Sequence, residues 1–101
     1  MMPTGVWLEI VSYRSFWDVP RFILAADPSS GFWILDGGFD PAQDEYSDRY
    51  RIFFAGTGWE QARAAFEAQA SGDIREVIGI VPVTGVEFDS TKRQELRIKP
   101  T

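Results

Sequence analysis

The sequence predicts an α+β domain: a mainly antiparallel, strongly bent sheet of about six strands with one helix, in the order ββββαββ. Two observations carry most of that expectation. Short runs of alternating or continuous apolar residues are separated by hairpin-length turns, which favours antiparallel neighbours. A single Ala-rich amphipathic segment, with a capping signal at its start, sits between the fourth and fifth runs. A third observation adds the bend: Gly79, Pro82 and Gly85 punctuate the late apolar region and make a barrel-like sheet the alternative. With 101 residues, 45% hydrophobic and 25% charged, the chain reads as one domain spanning residues 1–101 that can bury a core without disulfides or metals.

Residues 6–13 read as the first strand, with Trp7, Val11 and Tyr13 on one face and Leu8 and Ile10 on the other. Residues 15–20 connect it onward, and Pro20 biases Val19 to an extended conformation. Residues 21–26 and 32–35 form a hairpin about the turn Asp27-Pro28-Ser29-Ser30-Gly31. Residues 36–48 follow as a loop whose Gly37-Gly38 and Pro41 argue against regular structure in its first half. Residues 49–54 alternate as the fourth strand. Thr57-Gly58-Trp59-Glu60 is a capping box that opens a helix over 58–70, with Trp59, Ala62, Ala65, Phe66 and Ala70 toward the sheet and Ser71-Gly72 as the stop. The apolar run 76–81 predicts a buried strand, interrupted by Pro82 at an edge or bulge. Residues 83–88 resume as a strand, 89–92 turn, and 94–99 alternate as the last strand.

Charge is concentrated in the loop. Asp36, Asp40, Asp44, Glu45 and Asp48 lie within thirteen residues that contain no base, so the formal net charge of −5 is local and the other 88 residues balance at ten acids and ten bases. Phe39 and Tyr46 sit among these acids. Rings supply contact area with few torsions to freeze, and carboxylates steer a basic partner and accept Arg forks. The loop reads as a protein-binding surface or, more simply, as a solvated loop whose Asp residues make turns and discourage edge-to-edge sheet pairing. Arg49 and Arg51 are expected to pair with neighbouring loop acids. Fifteen aromatic residues exceed what one such core needs, which places some rings at the surface.

Several function classes are disfavoured. The chain has no Cys and no His, which removes disulfides, thiolate chemistry, Ser-His and Cys-His pairs and the commonest metal ligand. The loop acids are hard oxygen ligands, but their spacing fails the EF-hand frame, because Gly38 falls at position 3 and Ser47 at position 12. Gly56-Thr57-Gly58 lacks the P-loop frame. The wrong net sign and the lack of a basic stripe argue against direct nucleic-acid binding. No apolar run approaches a membrane span and no leader pattern is visible, so the expected setting is cytoplasmic.

A second constellation is Tyr13-Arg14-Ser15-Phe16-Trp17-Asp18-Val19-Pro20-Arg21, which packs three rings, an acid and two arginines into nine residues. It reads as a structural plug at one end of the sheet, with Asp18 pairing Arg21 or capping a turn, or as a ring-lined cleft in which Arg14 or Arg21 holds an anion. This run resembles a recurrent motif, Tyr-Arg-x-Phe-Trp-Asp-Val-Pro-Arg, of a family of small uncharacterised bacterial proteins. The similarity continues through Phe39-Asp40, Asp44-Glu45-Tyr46, Val81-Pro82-Val83 and Phe88-Asp89 with Arg93. It implies no activity or catalytic residue, only that the Trp17 motif and the acidic loop belong to one domain type.

The expectation is thus a non-enzymatic protein-binding module, inhibitor- or immunity-like, that docks on a basic protein partner. Its partner-binding residues are Asp36, Phe39, Asp40, Asp44, Glu45, Tyr46 and Asp48, joined by Trp17 and Tyr13. No cofactor, metal site or catalytic residue is assigned. The alternatives are an adaptor subunit of a larger assembly and a divalent-metal or small-ligand-binding domain.

Overall fold

In the computed structural model, which describes residues 3–17, 19–27, 31–40, 42, 45–70, 77–89 and 94–99, the alternation along Arg49–Gly56 shows how one sheet comes to have two buried faces. Tyr50 and Ile52 point to one side and Phe53 and Ala55 to the other, and all four are buried. The first side joins Leu8, Ile23, Leu35, Val81, Val86, Leu96 and Ile98 in a core that the sheet makes by curling on itself. The second joins Phe22, Leu24 and Ile34 to Ala62, Ala65 and Phe66 of the helix.

The strands are β1 (Trp7–Trp17), β2 (Val19–Ala26), β3 (Phe32–Asp36), the short β4 (Phe39–Asp40) and β5 (Glu45–Tyr46), β6 (Arg49–Gly56), β7 (Gly79–Pro82), β8 (Val86–Phe88) and β9 (Glu95–Ile98); helix α1 is Trp59–Ala70. Seven strands form one sheet in the order β7-β6-β3-β2-β1-β9-β8, and every pairing is antiparallel. Outside the small β4–β5 ladder this is the expected ββββαββ arrangement, with a third strand after the helix. The sheet curls into a half-barrel. Its two edges, β7 and β8, are joined by a single 3₁₀ turn, Val83–Gly85, so the chain steps directly from one edge to the other. Residues 28–30, 71–76 and 90–93, on which the expected turns and helix stop fall, lie outside the described residues.

The curl comes from places the sequence reading did not choose. Pairing slips by one residue between Ile10 and Ser12 of β1, and again where Phe32 and Trp33 of β3 meet Gly56 and Phe54 of β6. Each slip inserts an extra residue, Val11 and Ala55 respectively, and such bulges bend a strand and raise its twist. Gly79, Pro82 and Gly85, proposed as the bending points, instead lie in the edge strand and in the turn that follows it. The bulge at Val11 also corrects the face assignment of β1. Val11 packs with the helix-side core, whereas Tyr13 stands opposite Ile23 on the face of Leu8 and Ile10.

Three further expectations are corrected. The run 76–81 yields an edge strand rather than a buried one: β7 has a single neighbour, and Ile80 is 56% exposed. Trp59 is half-exposed and leans on Phe32 (ring centroids 6.2 Å apart), so the helix buries Ala62, Ala65 and Phe66 instead. The capping box is displaced by one residue, because the helix starts at Trp59 and Gln61 Oε1, not Glu60, accepts from the Thr57 amide at 3.4 Å.

Gly56 ends β6 with φ +112°, and a Cβ there would stand 2.4 Å from the Gln61 side chain. Gly56→Ala is expected to lower stability by about 1–3 kcal/mol through backbone strain, read as a drop in the urea midpoint. A midpoint equal to wild type would mean that the bulge relaxes around the methyl group.

Candidate functional site

The acidic segment is a small hairpin rather than an irregular loop. Phe39 pairs with Tyr46 and Asp40 with Glu45 in an antiparallel ladder, which corrects the expectation of an unstructured first half. The hairpin leaves the main sheet from the end of β3 and returns at the start of β6. Because β1 ends and β2 begins at that same end of the sheet, the paired residues Trp17 and Val19 lie at the end from which the hairpin departs.

The root of the hairpin is built from identifiable bonds. The Gly37 amide donates to the Arg21 carbonyl (2.7 Å), and the Ser47 amide to the Gly38 carbonyl (3.0 Å). Arg21 Nη1 donates to the Ser47 carbonyl at 2.9 Å. The Ser47 hydroxyl accepts from the Arg49 amide (3.1 Å) and donates to the Arg49 carbonyl (2.9 Å), a local turn of the kind serine favours. Beneath these lies Tyr50, fully buried, whose hydroxyl donates to the Pro20 carbonyl at 2.6 Å. Burial pushes its phenol up to about 12, a rise that the nearby Arg21 cation partly opposes. A Cβ at Gly37 would sit 3.0 Å from the Tyr50 ring, so glycine lets the strand cross the ring closely.

The expected binding residues divide into distinct groups. Asp36 faces inward: its side chain is only 12% exposed, Oδ2 lies 2.8 Å from Arg51 Nη2, and Oδ1 accepts from the Gly38 amide at 3.1 Å. It shapes the root. Asp48 is the opposite, with a side chain 93% exposed and only a long 3.9 Å approach to Arg49 Nε, while its carbonyl accepts from the Val83 amide (2.8 Å). Both arginines thus pair with loop acids, as expected. Phe39, Asp40, Glu45 and Tyr46 are brought into register by the ladder. Asp44 and Asp18 lie outside the described residues. Trp17 ends β1 opposite Val19, and Tyr13 is 54% exposed on the curled-core face.

The anion-holding reading of the Trp17 run finds both of its arginines engaged. Arg14 makes a bidentate contact with Glu67 (2.8 Å to each oxygen) and lies over the Phe66 ring, tying β1 to the helix. Arg21 is occupied at the hairpin root. Among the described residues, no three His, Cys, Asp or Glu side chains are grouped to hold a metal ion, and no helix is long and apolar enough to cross a membrane.

Comparison with protein-family models, curated proteins and solved structures finds no match for this chain.

One surface was not legible in the sequence. Pairing of β8, β9 and β1 gathers Glu87, Arg97 and Trp7 into one cross-strand row and opposes Glu9 to Glu95 in the next. Arg97 lies over the Trp7 ring (5.0 Å) and bonds to Glu87. Pockets of about 350 and 470 Å³ open here, sharing Glu95. The residues come from β1 and from the consecutive strands β8 and β9, at opposite ends of the charge-balanced part of the chain. Only their two-residue spacing within each strand hinted at a shared polar face.

Proposed function

We propose that this protein is a non-enzymatic binding module, inhibitor- or immunity-like, that docks on a basic protein through its acidic hairpin, with the cytoplasm as its setting. The observation that carries this reading is the register of the hairpin, which sets Asp40 directly opposite Glu45. Like charges at opposed positions are destabilising, and a guanidinium or ammonium from a partner would relieve that cost. Asp48, its carboxylate almost fully in water, adds to the same field. Phe39 and Tyr46 are register partners in the same ladder, and aromatic residues supply the holding contact area once steering has brought a partner close. Trp17 and Tyr13 extend the same end of the sheet.

The test is a paired capture with native bait and with a bait carrying Asp40→Asn, Asp44→Asn, Glu45→Gln and Asp48→Asn. Asp36 is left intact because it bonds to Arg51 and Gly38. The expected result is a basic protein retained by the native bait alone. Its purified form should bind the amidated variant at least roughly tenfold more weakly and lose affinity steeply as salt is raised. Equal capture by both baits would rule out the hairpin as the docking surface.

The adaptor reading draws on a different observation. Phe54 (42% exposed) packs on Trp33, and Trp59 (48% exposed) on Phe32, at the other end of the sheet. Trp33 packs on the curled-core side and Phe32 on the helix side, so these are two separate aromatic pairs on opposite faces. Either pair would serve self-association, and a concentration-dependent dimer in sedimentation would favour the adaptor over the inhibitor.

A further inference from the structure

We infer that Arg21 is the positioning residue of the acidic hairpin, a single side chain and its own carbonyl together clasping both arms to β2. The first arm is held by its backbone: the Arg21 carbonyl accepts from the Gly37 amide at 2.7 Å. The second is held by its side chain: Nη1 donates to the Ser47 carbonyl at 2.9 Å. The two arms then meet in the Ser47 amide to Gly38 carbonyl bond.

Burial singles out this residue. Arg21 is 8% exposed and is the one charged residue in the buried set among the described residues. Removing a guanidinium from water is costly unless its donors are well matched, and an apolar side chain of similar volume is often as stable or more so. Stability alone therefore does not call for arginine here. A side chain that reaches across to a specified carbonyl provides orientation: it fixes where the β4–β5 ladder stands relative to the sheet. The backbone from which it reaches is itself held, because the Tyr50 hydroxyl bonds to the carbonyl of the adjacent Pro20. A hairpin held in its docking pose loses less freedom on binding. That functional consequence rests on the docking role proposed above; the clasp does not.

The competing account is that attraction between the Arg21 cation and the loop acids holds the hairpin, and hydrogen exchange separates the two. In Arg21→Met, exchange at the Ser47 amide is expected to rise by roughly tenfold or more while amides of the β2–β3 ladder stay within about twofold of wild type. In the variant with Asp40, Asp44, Glu45 and Asp48 amidated and Arg21 intact, Ser47 protection is expected to be unchanged. The inference is overturned if Ser47 protection survives in Arg21→Met, if the ladder loosens equally, or if amidation alone exposes Ser47. Should Arg21→Met fail to fold, Arg21→Gln decides on the same criteria, being polar but too short to span the contact. Binding of an oligo-arginine peptide to wild type at low salt is read separately. Its absence overturns the docking role, while the exchange rates still decide the clasp.

Discussion

Phe66→Ala is expected to remove about 3–5 kcal/mol of stability, a large part of the roughly 5–15 kcal/mol that a domain of this size has. Phe66 is 3% exposed and stacks on Phe22 with ring centroids 4.6 Å apart and planes at 21°. Among the described helix side chains it is the largest that is buried against the sheet, the others being Ala62 and Ala65. Arg14 lies over the same ring and pairs with Glu67, but the two side chains are 47% and 58% exposed. Exposed pairs contribute only about 0–1 kcal/mol. Glu67→Gln should therefore lower the thermal midpoint far less than Phe66→Ala, by roughly 4–8 °C at most. Equal losses in the two variants would show that the ion pair, not the ring, seats the helix.

The second large effect is a pH dependence. Tyr50 has its phenol raised to about 12 in the folded protein, chiefly by burial, against 10.0 in the unfolded chain. Below pH 10 the group is protonated in both states, and its contribution is fully present. Between pH 10 and about 12 the unfolded chain releases the proton first, so stability falls by about 1.4 kcal/mol per pH unit, some 3 kcal/mol in all. Above that range both states are ionised and the loss levels off. Tyr50→Phe removes this slope. At neutral pH it costs about 1–3 kcal/mol by leaving the Pro20 carbonyl without its donor. Urea midpoints of both proteins at pH 8 and pH 11 should therefore converge as pH rises. A gap that stays constant would mean that the phenol ionises in place without opposing the fold.

The fold was legible where each segment's own pattern decides its structure. The β2–β3 hairpin follows from two apolar runs and the Asp27–Gly31 turn, closed by the Asp27 amide on the Gly31 carbonyl. The helix follows from its Ala-rich face. What could not be read depends on pairing. A bulge at Val11 costs one residue of register and moves Tyr13 to the opposite face, yet nothing in the alternation of residues 6–13 marks it. The same holds for Trp59, whose apolar character placed it inward although the sheet below α1 ends at Phe32.

The candidate site divides in the same way. Its charge is a property of composition and stood out at once. The role of Asp36 as part of the root, rather than of the binding surface, requires knowing that Arg51 sits opposite it on β6. The burial of Arg21 was similarly hidden, because a charged residue ahead of Phe22-Ile23-Leu24 resembles a strand's solvated first position. The return of residue 47, twenty-six positions later, brings a carbonyl onto its guanidinium, a contact the local sequence does not show.

The order of strands also bears on how the protein is made. The chain supplies β1, β2, β3 and β6 first, and in that partial sheet β1 and β6 are the edges. Their eventual neighbours, β9 and β7, both lie beyond residue 76. During synthesis the growing sheet therefore carries two unpaired strand templates until the residues beyond 76 emerge, and unpaired strands recruit other chains. One continuous segment then covers both: β7 closes on β6, the 3₁₀ turn crosses the gap, and β8 with β9 closes on β1. For this molecule, both edges of the early sheet are covered in one late step, which leaves β7 and β8 as the edges of the finished sheet.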